Sequence, residues 1–384
     1  MVAVATVVEL APAGACDFLS PSIEKLSFAT AECKQYILWN CPATKASTEG
    51  NEMSRREILK SAGALAAIST LGFGRPAFAA DPTMTTVCKI VGVPYFSLLE
   101  TGLVAAGKKT GIRSNMIGPA QVDPAQQVRL IEDVIAKKVD VLGLIPLDVK
   151  VLAPVVQRAR DAGIIVITQE GPDMEGRTWD VEMVDSKKFG EEMMKSLARQ
   201  MGGKGDYIVI VGTLTTPLHN LWCDAAIAYQ QANHPNMKLA ADRFPGADQI
   251  DTTEQVVRNA LQAYPNLRGV IGFGSNGPIG AGNIVRQRGL GNKLSVTGFA
   301  LPSQAQSLIN AGALKETFLW SPKEVGEAMV AVASLVLKKA EFKTGMQIPG
   351  IGKANVDADK KIISVDRMLV LNKETLPELI KLGI

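Results

Sequence analysis

The stretch VCKIVGVPYFSLLETGLVAAGKKTGIRSNMIG, residues 87–118, decides the fold. It opens on a β-branched run, Val87–Val93, continues as the amphipathic Tyr95–Thr110, and closes on a second short strand, Arg113–Gly118. Strand, helix and strand at this spacing form one βα unit leading into the next, the building block of a parallel sheet. The pattern recurs: helices are predicted over Pro124–Lys138 and Val149–Ala162, and strands over Val141–Ile145 and Ile164–Thr168. In the first of these helices Val128, Ile131, Val134 and Ile135 share one face, with Arg129, Glu132 and Asp133 between them. Asp123-Pro124 supplies its N-cap and a proline at the first helical position.

A second series begins after Val184. Helices are predicted over Lys187–Met201, Pro217–Ala232, Gln249–Ala263 and Pro278–Arg288, with strands over Tyr207–Val211, Lys238–Ala241, Gly269–Phe273 and Ser295–Phe299. The glycine-rich break Gly202–Gly205 ends the first of these helices as a C-cap should. The fold class is therefore α/β, with two Rossmann-like lobes built on parallel sheets. A strand at Thr317–Trp320, a helix at Lys323–Lys339 and a Gly/Lys-rich tail ending in Ile362–Val370 follow, and periodicity alone does not assign them to a lobe.

Composition narrows the function. The chain has 384 residues, 41 Lys+Arg against 38 Asp+Glu, and a formal charge of +3, so it carries no basic footprint for nucleic acid and no polybasic membrane patch. With only two histidines, His219 and His234, and no metal-ligand spacing of cysteines, zinc chemistry and His-based acid/base catalysis start without support.

The N-terminal region reads as a targeting segment. Ser54-Arg55-Arg56-Glu57-Ile58-Leu59-Lys60, an uncharged Gly/Ala-rich run to Gly74, and Ala77-Phe78-Ala79 have the order of a twin-arginine export signal with its A-x-A cleavage site. Residues 53–79 are expected to be that signal, and residues 1–52 an upstream extension preceding the true start at Met53. Of the five cysteines, Cys88 and Cys223 belong to the mature chain, where they read as buried apolar thiols.

Gly272-Phe273-Gly274-Ser275-Asn276-Gly277 matches the glycine pattern of dinucleotide sites, after a predicted strand and before a helix. The acid that should hold a ribose hydroxyl about 20 residues on is missing, since Leu294–Leu301 contains no Asp or Glu. No nucleophile elbow, P-loop or H-E-x-x-H sequence occurs. Polar and aromatic residues instead gather along and after strand ends: Lys89 inside the first strand with Tyr95 and Phe96 after it; Gln169 and Glu170; Thr213 to Asn220, including His219; Phe273, Ser275 and Asn276; and Trp320. Ligands of open α/β sheets bind outside the carboxyl ends of strands. Aromatic faces with one cation, one carboxylate and neutral polar groups suit a small polyhydroxylated molecule better than a reaction centre.

These residues resemble the type I periplasmic sugar-binding proteins of ABC importers, in particular the rhamnose/autoinducer-2 branch. The resemblance spans Val87 to Leu371 and rests on KIVGVPYF at 89–96, Gly118-Pro119 before QVRLIED at 127–133, LAPV at 152–155, QMGGKG at 200–205, YPNL at 264–267, GFALPS at 298–303 and Leu319-Trp320. It implies two lobes joined by a three-strand hinge, closing on ligand. It implies ligand contacts from Lys89 and from the aromatic pair Tyr95 and Phe96, with Glu170 where the family usually has an aspartate. Leu218-His219 stands at the position of an Asp-Gln pair, Phe273 and Ser275 replace a proline and an alanine, Ala300 replaces an aspartate, and Ser321 follows the branch's Trp320. The implied ligand is a sugar or polyol other than a standard aldopentose.

The expected ligand-binding set is Lys89, Tyr95, Phe96, Glu170, His219, Asn220, Phe273, Ser275, Asn276 and Trp320, with no catalytic residue, cofactor or metal. Residues 85–184 with 321–350 are expected to form the first lobe, and 185–320 with 351–384 the second. The resemblance implies a monomeric periplasmic protein that delivers its ligand to a permease and ATPase. A twin-arginine-exported, nucleotide-dependent oxidoreductase using Gly272–Gly277 is the alternative. A ligand-sensing transcription regulator is excluded because no helix-turn-helix precedes the lobes.

Overall fold

In the computed structural model, which describes residues 81–349 and 351–384, the chain enters its first sheet at Thr83–Val87 (β1). Residues 1–52 and the expected signal at 53–79 lie outside the described residues. From β1 the chain runs through Pro94–Thr110 (α1), Arg113–Ile117 (β2), Pro124–Ala136 (α2), Val141–Leu144 (β3), Val149–Asp161 (α3), Ile165–Thr168 (β4) and Trp179–Glu182 (β5). Asp123 caps α2 as its sequence predicts, its carboxylate accepting from Ala125 N–H at 2.8 Å.

The second lobe follows with Ser186–Met201 (α4), Gly205–Val211 (β6), Pro217–Asn233 (α5), Met237–Leu239 (β7), Phe244–Pro245 (β8), Ile250–Ala263 (α6), Leu267–Gly272 (β9), Gly277–Gln287 (α7), Ser295–Gly298 (β10), Pro302–Asn310 (α8) and Glu316–Leu319 (β11). The remainder is Pro322–Leu337 (α9), Gln347–Ile348 (β12), Gly352–Lys353 (β13), Asn355–Asp357 (β14), Ile362–Ser364 (β15), Leu369–Asn372 (β16) and Leu376–Lys381 (α10).

The first sheet has the order β14-β15-β5-β4-β3-β1-β2 and is parallel except for β14. The second has β10-β9-β6-β7 in parallel with β8 beside β6, and β11 joins its edge through a Phe299–Phe318 bridge and pairs antiparallel with β16. Between the first sheet and helices α2 and α3 lies an aliphatic core of Val87, Ile131, Val134, Leu142, Leu144, Leu152, Val155 and Val166. Opposite it, α9 packs on α1. The chain thus passes between lobes three times, after β5, after β11 and after β15.

Three sequence readings need correction. The first strand spans Thr83–Val87 and not Val87–Val93: the Thr-Met-Thr-Thr run pairs with both β2 and β3, and Lys89 stands beyond its end. Residues 355–364 do not belong with the second lobe, because β15 pairs parallel with β5 at the edge of the first sheet. Strands β5 and β8 and helix α8 have no counterpart in the periodicity, the strands being 4 and 2 residues long.

Candidate functional site

The strand ends of the two sheets face one another across a cavity. The first lobe contributes Lys89, Tyr95, Phe96 and Glu170 to its wall, and the second contributes His219, Trp222, Asp248, Phe273, Ser275 and Phe299, with Trp320 at the second crossover. Eight of the ten residues expected from sequence line this one space.

Lys89 reaches it from the turn after β1 and donates to Glu170 Oε2 at 2.7 Å. Both side chains are nearly fully buried. Glu170 adopts φ +58°, a left-handed conformation that costs a non-glycine residue about 1–3 kcal/mol and concentrates at ligand sites. Burial alone would push the Lys89 ammonium down, but Glu170 and Asp248 reverse this and hold it above its ordinary value. Lys89 therefore stays charged.

His219 lies in the first turn of α5. Its Nδ1 accepts from Gly212 N–H at 2.9 Å, so the neutral ring carries its proton on Nε2. Burial, then the Lys89 charge, hold its pKa well below the ordinary histidine value. Asp248, on the loop between β8 and α6, has a carboxyl pushed up by burial, pulled down by Lys89 and pushed up again by Glu170. Its Oδ2 and the Trp222 Nε1–H have no hydrogen-bond partner among the described residues. Buried polar atoms are rarely left unpaired, which sets these two apart in the cavity wall.

The aromatic wall is rigid. Tyr95 packs edge-on against Phe96 and Phe299 at centroid separations of 5.2 and 5.6 Å, and its hydroxyl accepts from Trp320 Nε1–H at 3.2 Å. Trp320 in turn lies 4.7 Å from Phe299 and 5.6 Å from Trp222.

Asn220 and Asn276 do not line the cavity. The Asn220 amide donates to the Thr213 and Thr216 carbonyls and accepts from Arg243, tying the start of α5 together. Asn276 donates to the Asp248 carbonyl at 2.9 Å and accepts from Gln304, so it holds the loop that carries Asp248. Sequence reasoning missed Trp222, Asp248 and Phe299. Trp222 lies one helical turn from His219, Phe299 immediately follows β10, and Asp248 follows the two-residue β8.

The glycines of residues 272–277 have a packing explanation. A Cβ on Gly274 would stand 2.6 Å from the Ala247 carbonyl oxygen and 2.7 Å from Asp248 Oδ1, and one on Gly272 would meet Gly277 at 2.7 Å. The motif lets the Asp248 loop approach the β9–α7 turn, and the nucleotide-dependent oxidoreductase reading has no support.

Comparison with known proteins agrees with this architecture. The chain is 25% identical over 233 residues to the D-ribose/D-allose-binding protein of Pseudomonas aeruginosa, covering 57% of this chain and 70% of that one. It is 23% identical over 330 residues to the xylitol-binding protein of Mycolicibacterium smegmatis, covering 82% and 92%. An ABC transporter solute-binding protein from Clostridium phytofermentas, solved with bound L-rhamnose, superposes with a TM-score of 0.72 at 22% identity, covering 79% of this chain and all of that one. With two lobes, three crossovers and a shared cavity, and with residues 85–341 matching the periplasmic binding protein domain, the chain belongs to that family.

Proposed function

We propose that this protein captures a small neutral polyhydroxylated molecule, a monosaccharide or sugar alcohol, and hands it to a membrane permease driven by an ATPase. It does so as a monomer in the periplasm, after export by the twin-arginine route, and it transforms nothing. The observation that carries this reading is the makeup of the cavity: aromatic faces for C–H surfaces, Lys89, His219 and Trp222 as donors, and Glu170 and Asp248 as acceptors. One cation against two carboxylates and a neutral imidazole disfavours an anionic ligand.

Because the wall comes from both lobes, ligand contacts are complete only when the lobes are closed, and binding biases the hinge by that difference. The xylitol- and ribose/allose-binding relatives support the ligand class. No helix among the described residues is long and apolar enough to cross a membrane.

The test is a thermal-shift and calorimetric screen against xylitol, ribitol, erythritol, D-ribose, D-allose, L-rhamnose, autoinducer-2 and NAD. A ligand at 1,000 times its dissociation constant adds about 4 kcal/mol, a shift of several degrees. A shift from one sugar or polyol is expected. Silence across that class with a shift from NAD would overturn the reading.

A further inference from the structure

Beneath the cavity, β5 carries two carboxyls that the ligand site does not use. Asp180 and Glu182 are two residues apart on one strand, so their side chains leave the same face. Both are buried, Asp180 completely. Asp180 Oδ1 accepts from the Thr168 hydroxyl at 2.6 Å and from Gly171 N–H at 3.2 Å. Asp180 Oδ2 and Glu182 Oε1 find no donor among the described residues. Two neighbouring buried carboxyls, each with an unpaired oxygen, are satisfied if one proton lies between them.

The pair brackets the segment that matters for binding. Gly171, held by Asp180, directly follows Glu170, whose left-handed turn carries the carboxylate of the cavity wall. Glu182 also begins the first crossover, where its carbonyl accepts from Val365 N–H of the third at 2.9 Å. We propose that Asp180 and Glu182 share one proton and are positioning residues, fixing the left-handed turn at Glu170 so that its carboxylate meets Lys89 and the ligand. This rests on the polyol-binding reading of the cavity.

The charged and titratable groups facing the pair are Glu170 at the end of β4, Arg177 on the loop before β5, and Tyr95 on α1. Opposite on β15 stand Ile362 and Ser364, and α9 packs against the sheet with buried Val325, Met329 and Val332. Burial and the Asp180 charge push the Glu182 carboxyl well up, and burial raises the Asp180 carboxyl as well. Burial holds Tyr95 protonated, so it does not mimic the titration. When the shared proton leaves, three carboxylates crowd one turn and Glu170 is displaced.

The experiment measures xylitol and D-ribose binding by calorimetry, and unfolding midpoints without ligand, over about pH 5–9 for the wild type, Glu182→Gln and Glu182→Ala. A glutamine keeps a donor toward Asp180 and has no proton to lose. Wild-type affinity is expected to fall about tenfold with rising pH, one pK unit of coupling, while Glu182→Gln keeps the neutral-pH affinity throughout. Glu182→Ala is expected to bind about tenfold more weakly at every pH while remaining folded. Without ligand, the raised carboxyl makes the folded state lose stability as pH rises above its unfolded value, and Glu182→Gln removes that slope. Identical pH profiles for wild type and Glu182→Gln in both readouts would overturn the shared proton. A Glu182-dependent unfolding slope with no sugar or polyol bound at any pH would support it while overturning the polyol reading.

Discussion

Lys89 Nζ lies 3.3 Å from His219 Nε2, and the two side chains come from opposite lobes. With Nδ1 committed to Gly212 N–H and the ring neutral, Nε2 is a donor. Two donors at this separation do not satisfy one another. Glu170 Oε2 accepts from Lys89 but lies 4.0 Å from His219 Nε2, too far for a good bond. A ligand oxygen accepting from both would join the lobes, which makes this pair a point where occupancy favours closure.

His219→Ala is therefore expected to weaken sugar or polyol binding by about 2–10-fold, the range of a neutral hydrogen bond worth about 0.5–1.5 kcal/mol. The check is calorimetric titration. Unchanged affinity would show that the ligand oxygen uses Lys89 alone.

The same ring predicts a pH dependence of stability. In the unfolded chain an imidazole takes up a proton near pH 6.5, while burial and Lys89 keep folded His219 neutral well below that. The unfolded state thus binds more protons, and this contribution to stability is present above about pH 6.5 and lost as the pH falls. Unfolding midpoints of the wild type should drop more steeply on acidification than those of His219→Gln. Parallel curves would mean that the folded ring titrates normally.

The Lys89–Glu170 pair behaves differently from an ion pair in a closed core. Removing one partner of a fully buried pair typically costs about 3–5 kcal/mol of stability. Both residues, however, sit on the cleft wall of the first lobe, so opening the lobes rehydrates whichever charge is left. Lys89→Ala and Glu170→Ala should each bind at least about tenfold more weakly, with a smaller loss in denaturant midpoint than that core value. A collapse of the fold in either variant would show that the cleft does not open to water.

What the sequence conveyed and what it withheld follow from the range over which each signal acts. Lys89, Tyr95, Phe96, Glu170 and Trp320 were found because strand ends are local and the ligand edge of a parallel sheet is a general property of topology. Asp248 was missed because its strand, Phe244–Pro245, is too short to show any period. Trp222 carries no local signal: at i+3 from His219 it lies on the buried face of α5, and only the fold shows that its Nε1–H lacks a partner among the described residues. Asn220 and Asn276 had the right position in sequence, but backbone carbonyls one turn away or across the loop claim their amides. The lobe assignment of residues 355–364 depended on a strand register, β15 against β5, between Ile362–Ser364 and Asp180–Glu182, which no local pattern encodes.

Asp248 separates binding from stability most cleanly. Its carboxyl is raised above the ordinary aspartate value, so the ionised form is disfavoured by the fold: burial opposes it, Glu170 repels it, and Lys89 compensates only in part. A group with a raised folded pKa stabilises the fold below its unfolded pKa and loses that stability as pH rises through the folded one. The ionised form is therefore a liability to folding, and its Oδ2 is buried without a partner among the described residues. Asp248→Asn keeps the shape and removes the charge. It is expected to raise the unfolding midpoint of the empty protein at pH 7 while lowering affinity for a sugar or polyol about 10–100-fold, as loss of a charged acceptor should. Calorimetry on both quantities decides it: a variant less stable than wild type would show that Asp248 stabilises the loop, and unimpaired binding would place the ligand's hydroxyls elsewhere in the cleft.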